Sequence, residues 1–205
     1  MSTYEKGVFI NAPFDRKYKR LFDALVFAVH DCGFIARCSM EEGDSSNVRV
    51  QTIARIIDGC RFGIHDLSRT TLDSKHRLPR FNMPLELGIF LGAKRYGNAK
   101  QRRKSCLVLE RDPYRYQIFC SDIGGQDIWP HGNKVEDVIA GVRDWLRTVR
   151  KGSAQIPGGR RIVERYLAFR RELPRMSRTA GLDLRDIPFL DYRTMVRGWL
   201  EENEW

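Results

Sequence analysis

The sequence has no uninterrupted apolar run long enough to cross a bilayer. Its first residues, MSTYEKGVFIN, lack the basic start, apolar centre and cleavage site of a signal peptide. We therefore expect a cytoplasmic protein with no membrane segment. Neither the glycine fingerprint of dinucleotide-binding folds nor a Walker A lysine motif is present, which argues against a dehydrogenase and against a P-loop nucleotide hydrolase.

Cysteine is sparse and follows no recognisable pattern. The five cysteines are an odd number, and they form no CxxC pair and no Cys/His spacing typical of zinc sites. We expect them to be reduced and buried, as is usual for apolar thiols in a cytoplasmic protein. The sequence implies no metal and no separate cofactor.

Charge is abundant and unevenly placed. The formal net charge is +10, of which residues 94–151 carry +6, largely in the run KRYGNAKQRRK at 94–104. Such an excess indicates an anionic partner or ligand. The run has no aromatic residue after Tyr96, so a solvated loop is its simplest interpretation, and nucleic-acid binding is a weaker alternative.

Short apolar runs alternate with amphipathic ones along the first 150 residues. The runs predict strands at 7–11, 34–40, 61–67, 105–110 and 127–129, and helices after Asp15 and at 48–59, 83–96, 116–121 and 135–150. Alternating strands and helices are typical of a parallel sheet covered on both faces. We predict an α/β domain at residues 1–150 with a five-stranded parallel sheet.

Composition changes at residues 151–159, KGSAQIPGG, which indicates a linker. Residues 151–205 are predicted to form this linker and a C-terminal helical extension. One helix should end at Pro174, and another should include Met195 to Leu200. The extension is too short to bury a core of its own, so we expect it to pack on the main domain or on a partner.

Two acidic residues stand out near the predicted ligand-binding edge of the sheet. Parallel sheets bind ligands outside the carboxyl ends of their strands, and Asp66 closes the third strand. Glu86 is the only acid in the apolar helix that follows, where a carboxylate needs a physical reason. We predict that Asp66 and Glu86 face one crevice.

Each of these residues also has a purely structural interpretation. If Met83 is the N-cap, Glu86 occupies the capping-box position at the start of its helix. Asp66 could instead cap the turn through Leu67 and Ser68. His65 should lie on the opposite face of the sheet from Asp66, because side chains alternate along a strand.

The segments VFINAPFD, GIHDLS and MPLELGIFLGAK together resemble the nucleoside 2-deoxyribosyltransferase and TIR-like superfamily. That resemblance implies a flavodoxin-like fold and cleavage of N-glycosidic bonds. It matches Pro13 and Phe14 to the turn after the first strand, Asp66 to the aspartate after a middle strand, and Glu86 to the catalytic glutamate of the Glu-x-Gly pattern.

The resemblance therefore implies an NAD glycohydrolase, or another nucleoside or nucleotide N-glycosidase, in bacterial stress or phage defence. Glu86 and Asp66 would be catalytic, whereas Asn11, Pro13, Phe14 and Asn82 would contact the nucleotide. It also suggests a homo-oligomer or a partner protein. The alternatives are a non-catalytic nucleotide sensor or interaction module of the same fold, and a nucleic-acid-binding protein.

Overall fold

The computed structural model describes residues 2–70, 81–150 and 155–204. Five parallel strands form one sheet in the order β2-β1-β3-β4-β5. The strands are β1 (Gly7–Asn11), β2 (Ile35–Arg37), β3 (Phe62–Asp66), β4 (Ser105–Glu110) and β5 (Ile128–Pro130). The helices are α1 (Thr3–Lys6), α2 (Lys19–Asp31), α3 (Arg49–Asp58), α4 (Asn82–Tyr96), α5 (Val135–Val149), α6 (Gly159–Thr179) and α7 (Phe189–Glu202). This confirms the predicted flavodoxin-like α/β fold.

The two faces of the sheet are covered by different helices. Ile10 and Ile64 belong to the core that includes α2 and α5, whereas Phe9 packs with Phe90 of α4 and with the apolar face of α3. Both central strands are buried along their whole length, which suits the continuous apolar runs in their sequences. Chain order reverses between β1 and β3, so the carboxyl ends of these two strands mark the switch point.

The C-terminal extension packs on α2 and α5. The ring of Phe27 in α2 lies 5.4 Å from the rings of Tyr166 and Phe169 and 6.0 Å from that of Trp199, measured between centroids. Arg165 of α6 forms a buried ion pair with Asp31 at 3.1 Å. The extension therefore shares the main hydrophobic core with the α/β domain.

The prediction that the first extension helix ends at Pro174 is wrong. Helix α6 continues to Thr179, because a proline removes only one backbone hydrogen bond and the residues around it are held by packing. Leu173 and Ser177 are both buried, and the hydroxyl of Ser177 donates to the carbonyl of Leu173 at 2.8 Å. Residues 151–154 of the predicted linker lie outside the described residues.

Two further segments differ from their predicted form. The second strand is shorter than expected, because the chain turns after Arg37 into a 3-10 turn at Ser39–Glu41. Glu41 closes that turn by accepting a hydrogen bond from the backbone N–H of Cys38 at 3.3 Å. The short helix predicted at 116–121 is instead a pair of 3-10 turns, Arg115–Ile118 and Ser121–Ile123.

All five cysteines are free, and three of them are buried. Burial raises the pKa of the Cys32, Cys38 and Cys60 thiols to about 12, so these groups are protonated at neutral pH. Cys106 and Cys120 are half-buried. Among the helices of the described ranges, none combines the length and hydropathy that a bilayer span requires.

Candidate functional site

The carboxyl edge of the sheet is held together across the switch point by an ion pair between two loops. Arg69, in the loop after β3, donates from Nη2 to Asp15 Oδ1 at 2.6 Å and from Nε to Oδ2 at 3.0 Å. Asp15 lies in the loop after β1 and also accepts hydrogen bonds from the backbone of Lys17 and Tyr18. This two-point contact fixes the position of both loops.

Asn11 is buried at the end of β1, and its side chain contacts other groups of the protein. Its Nδ2 donates to the carbonyl of Met83 at 2.8 Å and lies 3.1 Å from Nδ1 of His65. Asn11 therefore positions the start of α4, and its amide nitrogen is not open to a ligand. Pro13 is also buried, so its contribution is to the shape of the turn.

Asp66 is fully buried and is surrounded by donors. Its Oδ1 accepts from the backbone N–H of Ser68 at 2.8 Å and from the hydroxyl of the same residue. Its Oδ2 accepts from the hydroxyl of Tyr18, and burial next to Asp66 raises the pKa of that phenol well above its usual value. Nε2 of His131 lies 3.1 Å from the same oxygen, although off the ideal hydrogen-bond direction.

Glu110 and His131 extend this polar cluster and were missed in the sequence. Each ends a strand or follows one directly, Glu110 at the end of β4 and His131 after β5, and both are fully buried. Glu110 accepts from Arg115 at 2.9 Å, and burial raises the pKa of its carboxyl group. The strand-end rule that pointed to Asp66 could have found both residues.

Glu86 differs from Asp66 and Glu110 because its carboxylate lacks a hydrogen-bond donor among the described residues. It lies in the second turn of α4, which begins at Asn82 with Phe81 as N-cap, so the capping-box interpretation is wrong. Among the described residues its carboxylate has no hydrogen bond and no ion pair. Burial raises its pKa from 4.5 to about 7, and within the described ranges the positive charge of Arg49 opposes this rise.

Arg49 begins α3, next to the Glu86 side of α4. Its Nη2 donates at 3.0 Å to the hydroxyl of Ser39, which is buried in the 3-10 turn after β2. Glu41 of the same turn accepts from Arg193 of α7 at 2.9 Å and from Arg37 at 2.6 Å. The guanidinium of Arg49 is thus held by a turn that the C-terminal extension helps to fix.

The structure places Asp66 and Glu86 on opposite faces of the sheet. His65 contacts Phe90 of α4 with ring centroids 5.0 Å apart, so the following residue, Asp66, points the other way, towards Tyr18 at the start of α2. Glu86 lies one helical turn before Phe90, on the side of α4 that packs against α3. The expectation that both carboxylates face one crevice is therefore not met, whereas the predicted orientation of His65 is confirmed.

The accessible part of the edge includes several apolar side chains. Phe14, Val48, Phe81 and Leu85 are exposed at the loop after β1 and at the starts of α3 and α4. Phe14 also lines a cavity of about 160 Å³ with Met40 and with Phe189 of the extension. Asn82 is exposed at the first position of α4. Residues 71–80, most of the loop predicted to be functional, lie outside the described residues.

The basic run at 94–104 lies at the opposite, amino-terminal edge of the sheet. Lys104 is buried, donates to the carbonyls of Ile57 and Cys60 at the end of α3, and has a pKa lowered by burial to about 8. Arg103 pairs with Glu5 at 2.6 Å. Lys94, Arg95 and Arg102 line a groove of about 1200 Å³ beside β4 and β5. The run is therefore only partly a solvated loop, and it is remote from Glu86.

Comparisons of the chain with protein-family models, with curated proteins and with solved structures find no match. The fold is a flavodoxin-like α/β architecture, and among the described residues Glu86 is a partly buried carboxylate without a hydrogen bond or ion pair near the carboxyl edge of the sheet. No group of three or more His, Cys, Asp or Glu side chains in the described part of the chain is arranged to hold a metal ion.

Proposed function

We propose that this protein hydrolyses the N-glycosidic bond of NAD or a related nucleotide, with Glu86 as the catalytic carboxylate. The observation that supports this most directly is the state of Glu86: half-buried, at the edge where such folds bind ligands, and without a partner among the described residues. A carboxylate held in this way is stabilised poorly by the protein and can interact strongly with a positive ligand.

The proposed reaction needs little from the protein beyond this group. In NAD the C1′–N bond breaks with its electron pair going to the pyridinium nitrogen, so nicotinamide leaves as a neutral molecule. The oxygen of a water molecule bonds to C1′, and one proton is released. The ionised Glu86 would stabilise the cation-like ribose in the transition state and accept that proton.

The other predicted site residues differ in whether a substrate could reach them. Phe14 and Asn82 are accessible and could contact the base and the ribose. Asn11, Pro13 and Asp66 are buried, so in the proposal they shape the site without contacting the substrate. Asp66 would hold the carboxyl end of β3 in place through Tyr18 and Ser68.

The decisive experiment measures nicotinamide release from NAD by the purified protein, by Glu86→Gln and by Glu42→Gln. Glu42 is a suitable control because its carboxylate pairs with Arg55 at 3.1 Å on the surface of the same edge. We expect Glu86→Gln to lower kcat/KM by about 100-fold or more and Glu42→Gln to leave it nearly unchanged. Equal turnover by all three proteins would remove Glu86 from the mechanism.

The pH dependence gives an independent readout. Because Glu86 must be ionised to act and has a pKa of about 7, kcat/KM should rise with pH up to about 7 and then level off. A profile that is flat between pH 5 and pH 8 would contradict this assignment.

The burial of Asp66 favours a second candidate, a nucleotide sensor of the same fold that performs no chemistry. With Asp66 enclosed, Glu86 is the only one of the two predicted catalytic carboxylates that a ligand can reach. A sensor would be stabilised by a nucleotide in a thermal unfolding assay while releasing no nicotinamide.

A further inference from the structure

We infer that Arg49 binds a phosphate group of the ligand, so that the site selects nucleotides over nucleosides. This inference rests on the proposed function, because it concerns the same site. It is carried by the position of Arg49 at the first turn of α3, beside the face of α4 that bears Glu86.

The guanidinium of Arg49 is anchored without being neutralised. Nη2 donates to Ser39 at 3.0 Å, and no carboxylate within the described ranges lies at ion-pair distance from Arg49. Many other arginines of the chain do have such a partner, as Arg37 has Glu41 and Arg55 has Glu42. One fixed N–H leaves the rest of the planar donor fork to a ligand, and this geometry suits two oxygens of a phosphate.

The turn that carries the anchor is cross-linked by hydrogen bonds. Ser39 is buried in a 3-10 turn whose last residue, Glu41, accepts hydrogen bonds from Cys38, Arg37 and Arg193. A donor that is already oriented loses less entropy on binding than a mobile side chain would. Helix α3 also begins without a side-chain cap, so its first backbone N–H groups add positive potential beside the guanidinium.

Arg49 and Glu86 therefore suit opposite parts of one ligand. A nucleotide carries a negative phosphate on the 5′ carbon and develops positive charge at C1′ when its base leaves. A cation and an unpartnered carboxylate on adjacent helices match that polarity, whereas a nucleoside has no group for the cation.

The test compares two ligands that differ only in the phosphate, nicotinamide mononucleotide and nicotinamide riboside. Their dissociation constants are measured by calorimetry on Glu86→Gln, which is expected to slow turnover during the titration. We expect the mononucleotide to bind about tenfold or more tightly, the usual value of a hydrogen bond to a charged group. Adding Arg49→Gln should reduce the ratio to about one, and Arg49→Lys should restore part of it.

The matched control is Arg55→Gln, since Arg55 is an exposed arginine on the same helix. It should leave the ratio unchanged. Ser39→Ala, which keeps Arg49 but removes its anchor, should lower the ratio partly. The inference is overturned if Arg49→Gln weakens both ligands equally, if the ratio does not depend on Arg49, or if neither ligand binds.

Failure of the proposed function would look different. If the unmodified protein binds the mononucleotide in a phosphate-dependent way but releases no nicotinamide, the role of Arg49 stands and the catalytic role of Glu86 falls.

Discussion

Replacing Glu86 with glutamine should stabilise the protein at alkaline pH and leave it almost unchanged in acid. Folding raises the pKa of Glu86 from 4.5 to about 7, so between these values the folded state binds more protons than the unfolded state. The free energy of unfolding of the unmodified protein therefore falls as pH rises through this window. A glutamine has no proton to lose and escapes this fall.

The size of the effect follows from the same two values. A difference from 4.5 to about 7 corresponds to about 3 kcal/mol if burial acts in full. Because Glu86 is only half-buried and solvent screens its charge, we expect about 1–3 kcal/mol above pH 7. For a chain of this size that is a rise in Tm of roughly 2–12 °C.

The assay is urea denaturation of the unmodified protein and of Glu86→Gln at pH 4.5, 6, 7 and 8, with Glu42→Gln as the control. The difference in unfolding free energy between Glu86→Gln and the unmodified protein should be near zero at pH 4.5 and should grow to its full value above pH 7. A difference that does not change with pH, or one that favours the unmodified protein in alkali, would refute the desolvated carboxylate on which the proposed function depends.

Three further predictions concern the structure around the site. Asp66→Ala leaves Tyr18 and Ser68 without their shared acceptor, so it should cost about 3–5 kcal/mol in urea denaturation. The exposed Arg55→Ala should cost about 0–1 kcal/mol, and a cost of Asp66→Ala near that of this control would show that the cluster is not structural. Gly63→Ala would place a Cβ 2.7 Å from Nε2 of His65 and should cost about 1–3 kcal/mol in the same assay. Its control is Gly88→Ala in α4, where a Cβ meets open space, and this variant should be neutral or stabilising by up to about 1 kcal/mol. Truncation after Gly158 removes α6 and α7 from the aromatic core around Phe27, and the product should lack a cooperative thermal transition in calorimetry; a normal transition would contradict the shared core.

The sequence was informative wherever structure depends on neighbouring residues. The strands at Gly7–Asn11 and Ser105–Glu110 have their predicted bounds, because an apolar run bounded by turn or charged residues is a local signal. Helix α6 shows the limit of such rules: Pro174 is a local stop signal, but burial of Leu173 and Ser177 outweighs it. Packing between distant segments is not visible in a local pattern.

The position of the candidate site in the fold could be predicted from the sequence, but the contacts of Asp66 and Glu86 could not. The strand-end rule placed Asp66 correctly at the carboxyl edge, yet its partners Tyr18 and His131 lie 48 and 65 residues away in the chain, where no periodicity connects them. For Glu86, an N-cap at Phe81 and not at Met83 changes a capping residue into one without a partner among the described residues. A shift of that size is within the ordinary uncertainty of a helix boundary.

The three buried thiols can serve as probes of local unfolding. Cys32 follows α2, Cys38 precedes the turn that carries Ser39, and Cys60 precedes β3, so each reports on a different segment. None can react with an alkylating reagent until its segment separates from the core, because both burial and the high pKa suppress the thiolate. The order in which the three become labelled would therefore show which part of the fold loosens first, and whether a nucleotide holds the Cys38 turn closed.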